Sequence, residues 1–210
     1  MSPVQLSCEG FALGAFWVPP FQLNTGVVVC LHLPFSPDST EAARLIQILT
    51  GARSEPGVHA FGRVVYAQPA QGKRTHWASL FREENVREWL HRSTPDNSLS
   101  EEDFFSRFAI QASWKVSQLG YNQRLLLGLE AAFQNLADAI IFSTVGGDPT
   151  GYSSAVEWFS WRRERAVSGI YLSFPFVQNG RPRRFCFPGG TCVDVSIQPV
   201  TPLPLNSIIH

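Results

Sequence analysis

The chain has 210 residues, 44% of them hydrophobic and 12% aromatic, and its 17 basic and 17 acidic side chains cancel to a formal net charge of zero. That length suits one globular unit with room for an inserted subdomain, and the apolar fraction excludes wholesale disorder. A neutral balance argues against a nucleic-acid binder, whose phosphate contacts need surplus Lys and Arg, while a charged fraction of only 16% leaves room for a surface covered by a partner.

The four cysteines, Cys8, Cys30, Cys186 and Cys192, are too few and too scattered for a disulfide-scaffolded secreted domain, and reduced thiols are the simplest expectation. Cys186 and Cys192 flank a Phe-Pro-Gly-Gly-Thr run, close enough to pair across strands. A zinc knuckle would need two more ligands, which neither His76 nor His91 is placed to supply, so no metal is expected. Met1 to Gly10 has no Lys or Arg ahead of an apolar run, so no secretory leader is expected. Residues 10–37 carry no Asp, Glu, Lys or Arg, but Pro19, Pro20, Gln22, Asn24 and Gly26 interrupt the stretch too often for a membrane-spanning helix of about 20 apolar residues.

In chain order, Val27 to Leu31 is a short β-branched run suited to a strand buried on both faces of a parallel sheet. Pro34, Ser36 and Pro37 make a turn, and Asp38 with Glu41 three residues on forms a capping pair for a helix. Ala42, Ala43, Leu45, Ile46 and Leu49 give that helix its apolar face, and Gly51 ends it. Arg63 to Ala67 reads as a second strand, which delivers Gln68 into a loop. Helical patterns follow at Trp77 to Leu90, Ser100 to Lys115 and Asn122 to Leu136. Asp138 to Phe142 is a compact apolar strand, and Val145 to Gly151 is a turn cluster. A helix from Ser153 to Arg163, a strand from Ser168 to Phe174 and a hairpin around Pro188-Gly189-Gly190 come next. The last stretch, about 197–210, contains prolines and reads as an extended tail that covers a sheet edge or a partner. Strands alternating with helices predict a mostly parallel α/β sheet.

The order of these elements carries a resemblance. Asn122-Gln123-Arg124 opening a helix, Asp138 to Phe142, and then Gly147-Asp148-Pro149-Thr150-Gly151 are similar, at matching spacing, to three stations of the nucleotide-binding domains of ABC-type ATPases. Those stations are the helix after the signature, the Walker B strand and the D-loop. Gly26 to Leu31 resembles the strand entering Walker A, and Ser39-Thr40 resembles the end of that motif. The resemblance spans nearly the whole chain and implies a P-loop NTPase-like, ABC ATPase-like α/β fold. It also implies an N-terminal antiparallel β part and a helical subdomain at about 72–125, all in one domain, 1–210.

Against the family pattern, the catalytic stations are eroded. A phosphate loop needs glycine-rich backbone whose N–H groups converge on the phosphates, and a lysine to neutralise them. Pro34 and Pro37 lie in the corresponding loop and proline has no N–H to give. Alignment puts Asp38 at the lysine position, where like charges about 4 Å apart repel by about 4 kcal/mol at an effective dielectric of 20. Ser143 and Thr144 fall where the metal-organising Asp and catalytic Glu would stand, Ser117 to Tyr121 falls at the signature, and Phe174 at the switch histidine. The positional remnants of nucleotide binding are therefore Phe11, where an aromatic stacks on adenine or simply packs in the core, with Ser39, Thr40, Gln68 and Asp148.

The expectation is a non-catalytic ABC-ATPase-like binding or regulatory subunit with no cofactor and no nucleic-acid partner. It would contact a permease or an intact ABC ATPase, dimers included, at the cytoplasmic face of a membrane. The alternative is a residual ATP- and Mg-binding ATPase with an unorthodox loop. No G-x-S-x-G elbow is present, so a serine hydrolase is not expected. Two arginine groups, Arg162, Arg163 and Arg165, then Arg181, Arg183 and Arg184, read as solvated ends of elements. Trp158 and Trp161, three apart, share one helix face beside the first group.

Overall fold

The computed structural model describes residues 3–72, 83–94, 101–144, 149–162, 166–178, 181–183 and 187–197. Four short strands come first, β1 (Val4–Cys8), β2 (Phe11–Leu13), β3 (Phe16–Val18) and β4 (Phe21–Asn24), then β5 (Val28–His32), α1 (Thr40–Leu49), β6 (Val58–Ala60) and β7 (Val64–Tyr66). They are followed by α2 (Val86–Ser93), α3 (Glu101–Arg107), a 3-10 turn at Val116–Gln118, α4 (Tyr121–Gln134), β8 (Ala139–Phe142) and α5 (Pro149–Trp161). Strands β9 (Ser168–Ser173), β10 (Phe176–Gln178), β11 (Arg181–Arg183), β12 (Thr191–Asp194) and β13 (Ser196–Ile197) complete the described chain.

The central sheet has five strands in the order β12-β5-β9-β8-β7, and every pairing in it is parallel. Two three-stranded antiparallel sheets, β4-β1-β6 and β13-β3-β2, form the N-terminal β part. Ser196 and Ile197, where the predicted tail begins, pair with Trp17 and Phe16; residues 198–210 lie outside the described residues.

Strand alternation divides the interior into two cores. Val29, Leu31, Ala139, Ile141, Ile170 and Leu172 point toward α1 and the antiparallel strands. Cys30, Ile140, Phe142 and Tyr171 point the other way, toward α2 to α5. A sheet covered on both faces needs apolar residues at successive positions, which is why its strands read as continuous apolar runs.

Several predicted boundaries move, each for a local reason. Helix α2 begins at Val86 because Asn85 caps it, accepting from the Glu88 amide at 2.9 Å while the Glu88 carboxylate accepts from the Asn85 amide at 3.1 Å. That rules out helix at 83–85, and residues 77–82 of the predicted element lie outside the described residues. The pattern from Ser100 to Lys115 yields only α3, because Ala109 adopts a left-handed φ of 51° and the Ile110 amide closes onto the Phe105 carbonyl at 3.0 Å. Helix α5 starts at Pro149 rather than Ser153; proline's missing N–H costs nothing in a first turn. The Pro188-Gly189-Gly190 segment is a tight turn, but it leads into β12, which pairs parallel with β5 instead of forming the far arm of a hairpin.

Candidate functional site

Open parallel sheets bind ligands outside the carboxyl ends of their strands. Here those ends deliver Leu33 to Ser39 after β5, Ala67 to Ala70 after β7, Ser143 and Thr144 after β8, and Phe174 after β9.

The loop after β5 is closed from within. Phe35 is buried, its ring 5.0 Å from Phe16 and 6.4 Å from Phe174 between centroids, distances at which aromatic pairs attract beyond their buried area. Pro34 and Pro37 contribute no N–H. The Leu33 amide donates to the Ser173 carbonyl at 2.8 Å and the Ser39 amide to the Ser36 carbonyl at 3.1 Å, while the Asp38 amide donates to the Ser36 hydroxyl at 3.4 Å. None of the left-handed residues falls between 33 and 39, so the alternating backbone of an anion nest is not formed there.

Ser39, not Asp38, caps α1: its φ of −76° and ψ of 158° place its hydroxyl where it accepts from the Ala42 amide at 3.1 Å. The expected pairing of Asp38 with Glu41 is thus displaced by one residue, and Asp38 is exposed. Phe35, which the sequence reading passed over between its two prolines, fills this loop instead. Thr40 is the first helical residue and is exposed, and Phe11 is buried in the α1 core. Gln68 is an exposed loop residue whose carbonyl lies against α4: a Cβ built on Gly128 would stand 2.1 Å from its oxygen. The Ala70 amide donates to the Arg124 carbonyl at 2.9 Å, which fixes the same loop to the first turn of that helix. Asp148 lies outside the described residues.

At the Walker B positions Ser143 is buried, and the Thr144 hydroxyl and the Tyr171 phenol share a hydrogen bond of 2.9 Å. Burial pushes Tyr171 up to about 12, against a smaller lowering by that hydrogen bond. Among the described residues no group of three His, Cys, Asp or Glu is placed to hold a metal ion.

A fully buried carboxylate lies between α4 and α5, and the sequence reading did not single it out. Glu130 is fully buried; it pairs with Arg162 and accepts from Trp158 Nε1 at 3.0 Å and Gln134 Nε2 at 2.9 Å. The Arg162 guanidinium lies 3.7 Å from the Trp161 ring centroid and 4.5 Å from that of Phe133. Arg162, read from sequence as solvated, is thus a partly buried ion-pair partner. The one hint in the sequence is that Glu130 directly follows the apolar run Leu125 to Leu129, with Trp158 and Trp161 three apart beside Arg162. A second correction concerns the thiols. Cys192 is disulfide-bonded, so the expectation of reduced cysteines fails there, while Cys8 and Cys30 are free. Cys186 lies outside the described residues.

No family model and no curated protein matches the chain. Solved structures do. A metal-chelate type ABC transporter in an inward-facing conformation aligns with a TM-score of 0.59 at 14% identity, covering 86% of this chain and 82% of its own. cbiO1 from Clostridium perfringens, part of the ABC transporter complex cbiONQ, aligns at 0.55 and 12% identity, covering 86% and 87%. The ADP conformation of an ATP-binding cassette of an ABC transporter aligns at 0.57 and 12%, covering 87% and 90%. The fold is that of an ABC ATP-binding cassette. Between β7 and α4 the described chain forms α2, α3 and the 3-10 turn, and the antiparallel strands form the N-terminal β part. Among the described residues no helix is long and apolar enough to cross a membrane.

Proposed function

We propose that this chain is a non-hydrolysing ABC-cassette subunit that acts by binding a protein partner, a membrane permease or a catalytically complete ATPase, at the cytoplasmic face of a membrane. The observation that carries the reading is the wedge of Phe35 between Phe16 and Phe174 in the loop where a cassette would hold phosphate. Of the seven loop residues 33–39, Pro34 and Pro37 have no N–H, and Leu33, Asp38 and Ser39 already donate theirs. That leaves a triphosphate only the Phe35 and Ser36 amides and no Lys or Arg in this loop, and the hydroxyl that would face a magnesium ion is occupied as the cap of α1.

The experiment is calorimetric and thermal-shift titration of the full chain with Mg-ATP. No saturable heat and no shift is expected, because only a ligand that prefers the folded state raises its stability; a saturable shift overturns the reading in favour of residual ATP binding. Co-purification from the native host supplies the second arm. Recovery of a permease or an intact cassette supports the proposal, and reproducible isolation of the chain alone counts against it.

A further inference from the structure

The end of the central sheet opposite the loop of residues 33–39 exposes apolar side chains that the fold itself does not use. Phe61, three residues ahead of β7, is 66% exposed, and Leu136, three residues ahead of β8, is 74% exposed. β7 and β8 pair in parallel, so both approaches lie at the same end. Printed contacts hold them side by side. The Arg63 carbonyl accepts from the Asp138 amide at 2.9 Å and the Ala139 amide at 3.2 Å. The Asp138 carboxylate accepts from the Arg63 amide at 2.7 Å, and Arg63 Nη1 donates to the Asn135 carbonyl at 2.6 Å. The Phe61 amide donates to the Gln5 carbonyl at 2.9 Å, and a Cβ built on Gly62 would stand 2.8 Å from that of Asp138. The patch is thus pinned by its backbone, so covering it costs little ordering. Leu136 is also strained. As the residue after the end of α4 it takes a left-handed φ of 56°, where the Leu136 and Ala137 amides close the helix onto the Phe133 and Ala132 carbonyls. Glycine takes this position without steric cost. A leucine there accepts strain, and its side chain gains no burial within the chain.

We propose that Phe61 and Leu136 form the centre of a two-fold interface with a second copy of this chain, with Arg63 and Asp138 pairing across it. Charge decides the occupant. The patch carries one cation and one anion, both exposed. Among the described residues neither the Arg63 guanidinium nor the Asp138 carboxylate takes part in an ion pair. A two-fold axis sets one surface against itself, so Arg63 of each copy can face Asp138 of the partner subunit and both charges are met at once. A partner surface of a single sign would satisfy only one of them. The zero net charge of the chain also leaves no long-range repulsion between copies. So compact a patch fits an interface at or below the roughly 1,200 Å² of transient contacts, which makes the dimer weak and reversible. The two apolar side chains at its centre supply the affinity, and the charged pairs at its rim set the orientation. This face lies at the far end of the strands from the loop of residues 33–39, so the inference goes beyond the proposed function and stands whether or not the chain binds nucleotide.

The test is sedimentation equilibrium of the full chain from about 1 μM to about 1 mM, the range in which so small an interface associates. A reversible rise from monomer to dimer mass is expected. Phe61→Ser and Leu136→Gly should each weaken dimerisation by about tenfold or more. Leu136→Gly should melt no lower than the parent where both are monomeric, because glycine suits the position after a helix end. Arg63→Glu and Asp138→Lys should each abolish self-association, while an equimolar mixture of the two forms the dimer, since both cross pairs are then of opposite sign. A chain that stays monomeric over the whole range overturns the proposal. So does a dimer that neither Phe61→Ser nor Leu136→Gly weakens, because it uses another face. Failure of the mixture to associate, with both variants folded by circular dichroism, overturns the pairing of Arg63 with Asp138. A monomeric chain whose Leu136→Gly variant no longer co-purifies a permease gives this face to that partner and overturns the second copy.

Discussion

The loop after β5 and the seam between α4 and α5 handle polarity in opposite ways. In the loop, a position where the fold favours an anion holds an aromatic ring, two prolines and amides turned back on their own chain. In the seam, a carboxylate has been drawn out of water and is satisfied by a partly buried guanidinium, a tryptophan and a glutamine, with the guanidinium lying over two aromatic faces. Buried charge is costly unless fully partnered. The chain places its one such pair among the described residues of these two regions where it joins helices, and none where a ligand would exchange. The contrast shows that one fold can close a strand-end loop with apolar packing and yet join two helices through a partnered charge.

The largest effect expected from breaking that contrast is in the seam. Glu130→Ala leaves a partly buried guanidinium and the buried Trp158 N–H without their acceptor, and should cost about 3 kcal/mol in urea unfolding. Adding Arg162→Ala should return part of that loss, because the orphaned charge leaves with it; an equal or larger loss in the double variant would mean that the pair is not what joins the helices. Phe35→Ala comes next, at about 3 kcal/mol for an aromatic removed from a packed cluster. It should not create affinity for Mg-ATP, since both prolines and the Ser39 cap remain, and calorimetry that finds binding would show the ring alone to be the barrier.

The hydroxyl pair at the ends of β8 and β9 gives a smaller, pH-dependent effect. Tyr171 ionises near 12 in the folded chain against an ordinary value of 10.0, so the fold binds that proton more tightly than the unfolded chain does. Its stabilisation, on the order of 2 kcal/mol, is complete below pH 10 and is lost as pH rises toward 12. Tyr171→Phe should flatten that fall in equilibrium unfolding, and an identical alkaline profile would refute the assignment. The smallest effect, about 1–2 kcal/mol, is expected from Gly128→Ala, whose added methyl meets the Gln68 carbonyl. The sign is diagnostic, because the same change at an open helix position stabilises by about 1 kcal/mol.

Much of the frame was legible because parallel strands buried on both faces must be continuously apolar, and Val27 to Leu31, Asp138 to Phe142 and Ser168 to Phe174 each lie within one residue of an observed strand at either end. The helix limits were less so, since Ala109 and Leu136 take left-handed φ values of 51° and 56° that composition does not announce. At the loop, the prolines and Ser39-Thr40 were visible, but which residue caps and which fills depends on packing: Phe35 gains its role only when β3 and the end of β9 bring Phe16 and Phe174 to it. The Glu130 and Arg162 pair joins residues 32 apart in the chain, and helix periodicity tells nothing about which charge turns inward.

The close approach at Gly128 has a mechanical side. With no space between the Gln68 carbonyl and the α4 backbone, and with that loop also tied by its Ala70 amide to Arg124, a push on the exposed glutamine has no slack in which to dissipate. Any shift of that loop toward the helix meets the α4 backbone directly, so the missing side chain at Gly128 is what lets the two seat against each other.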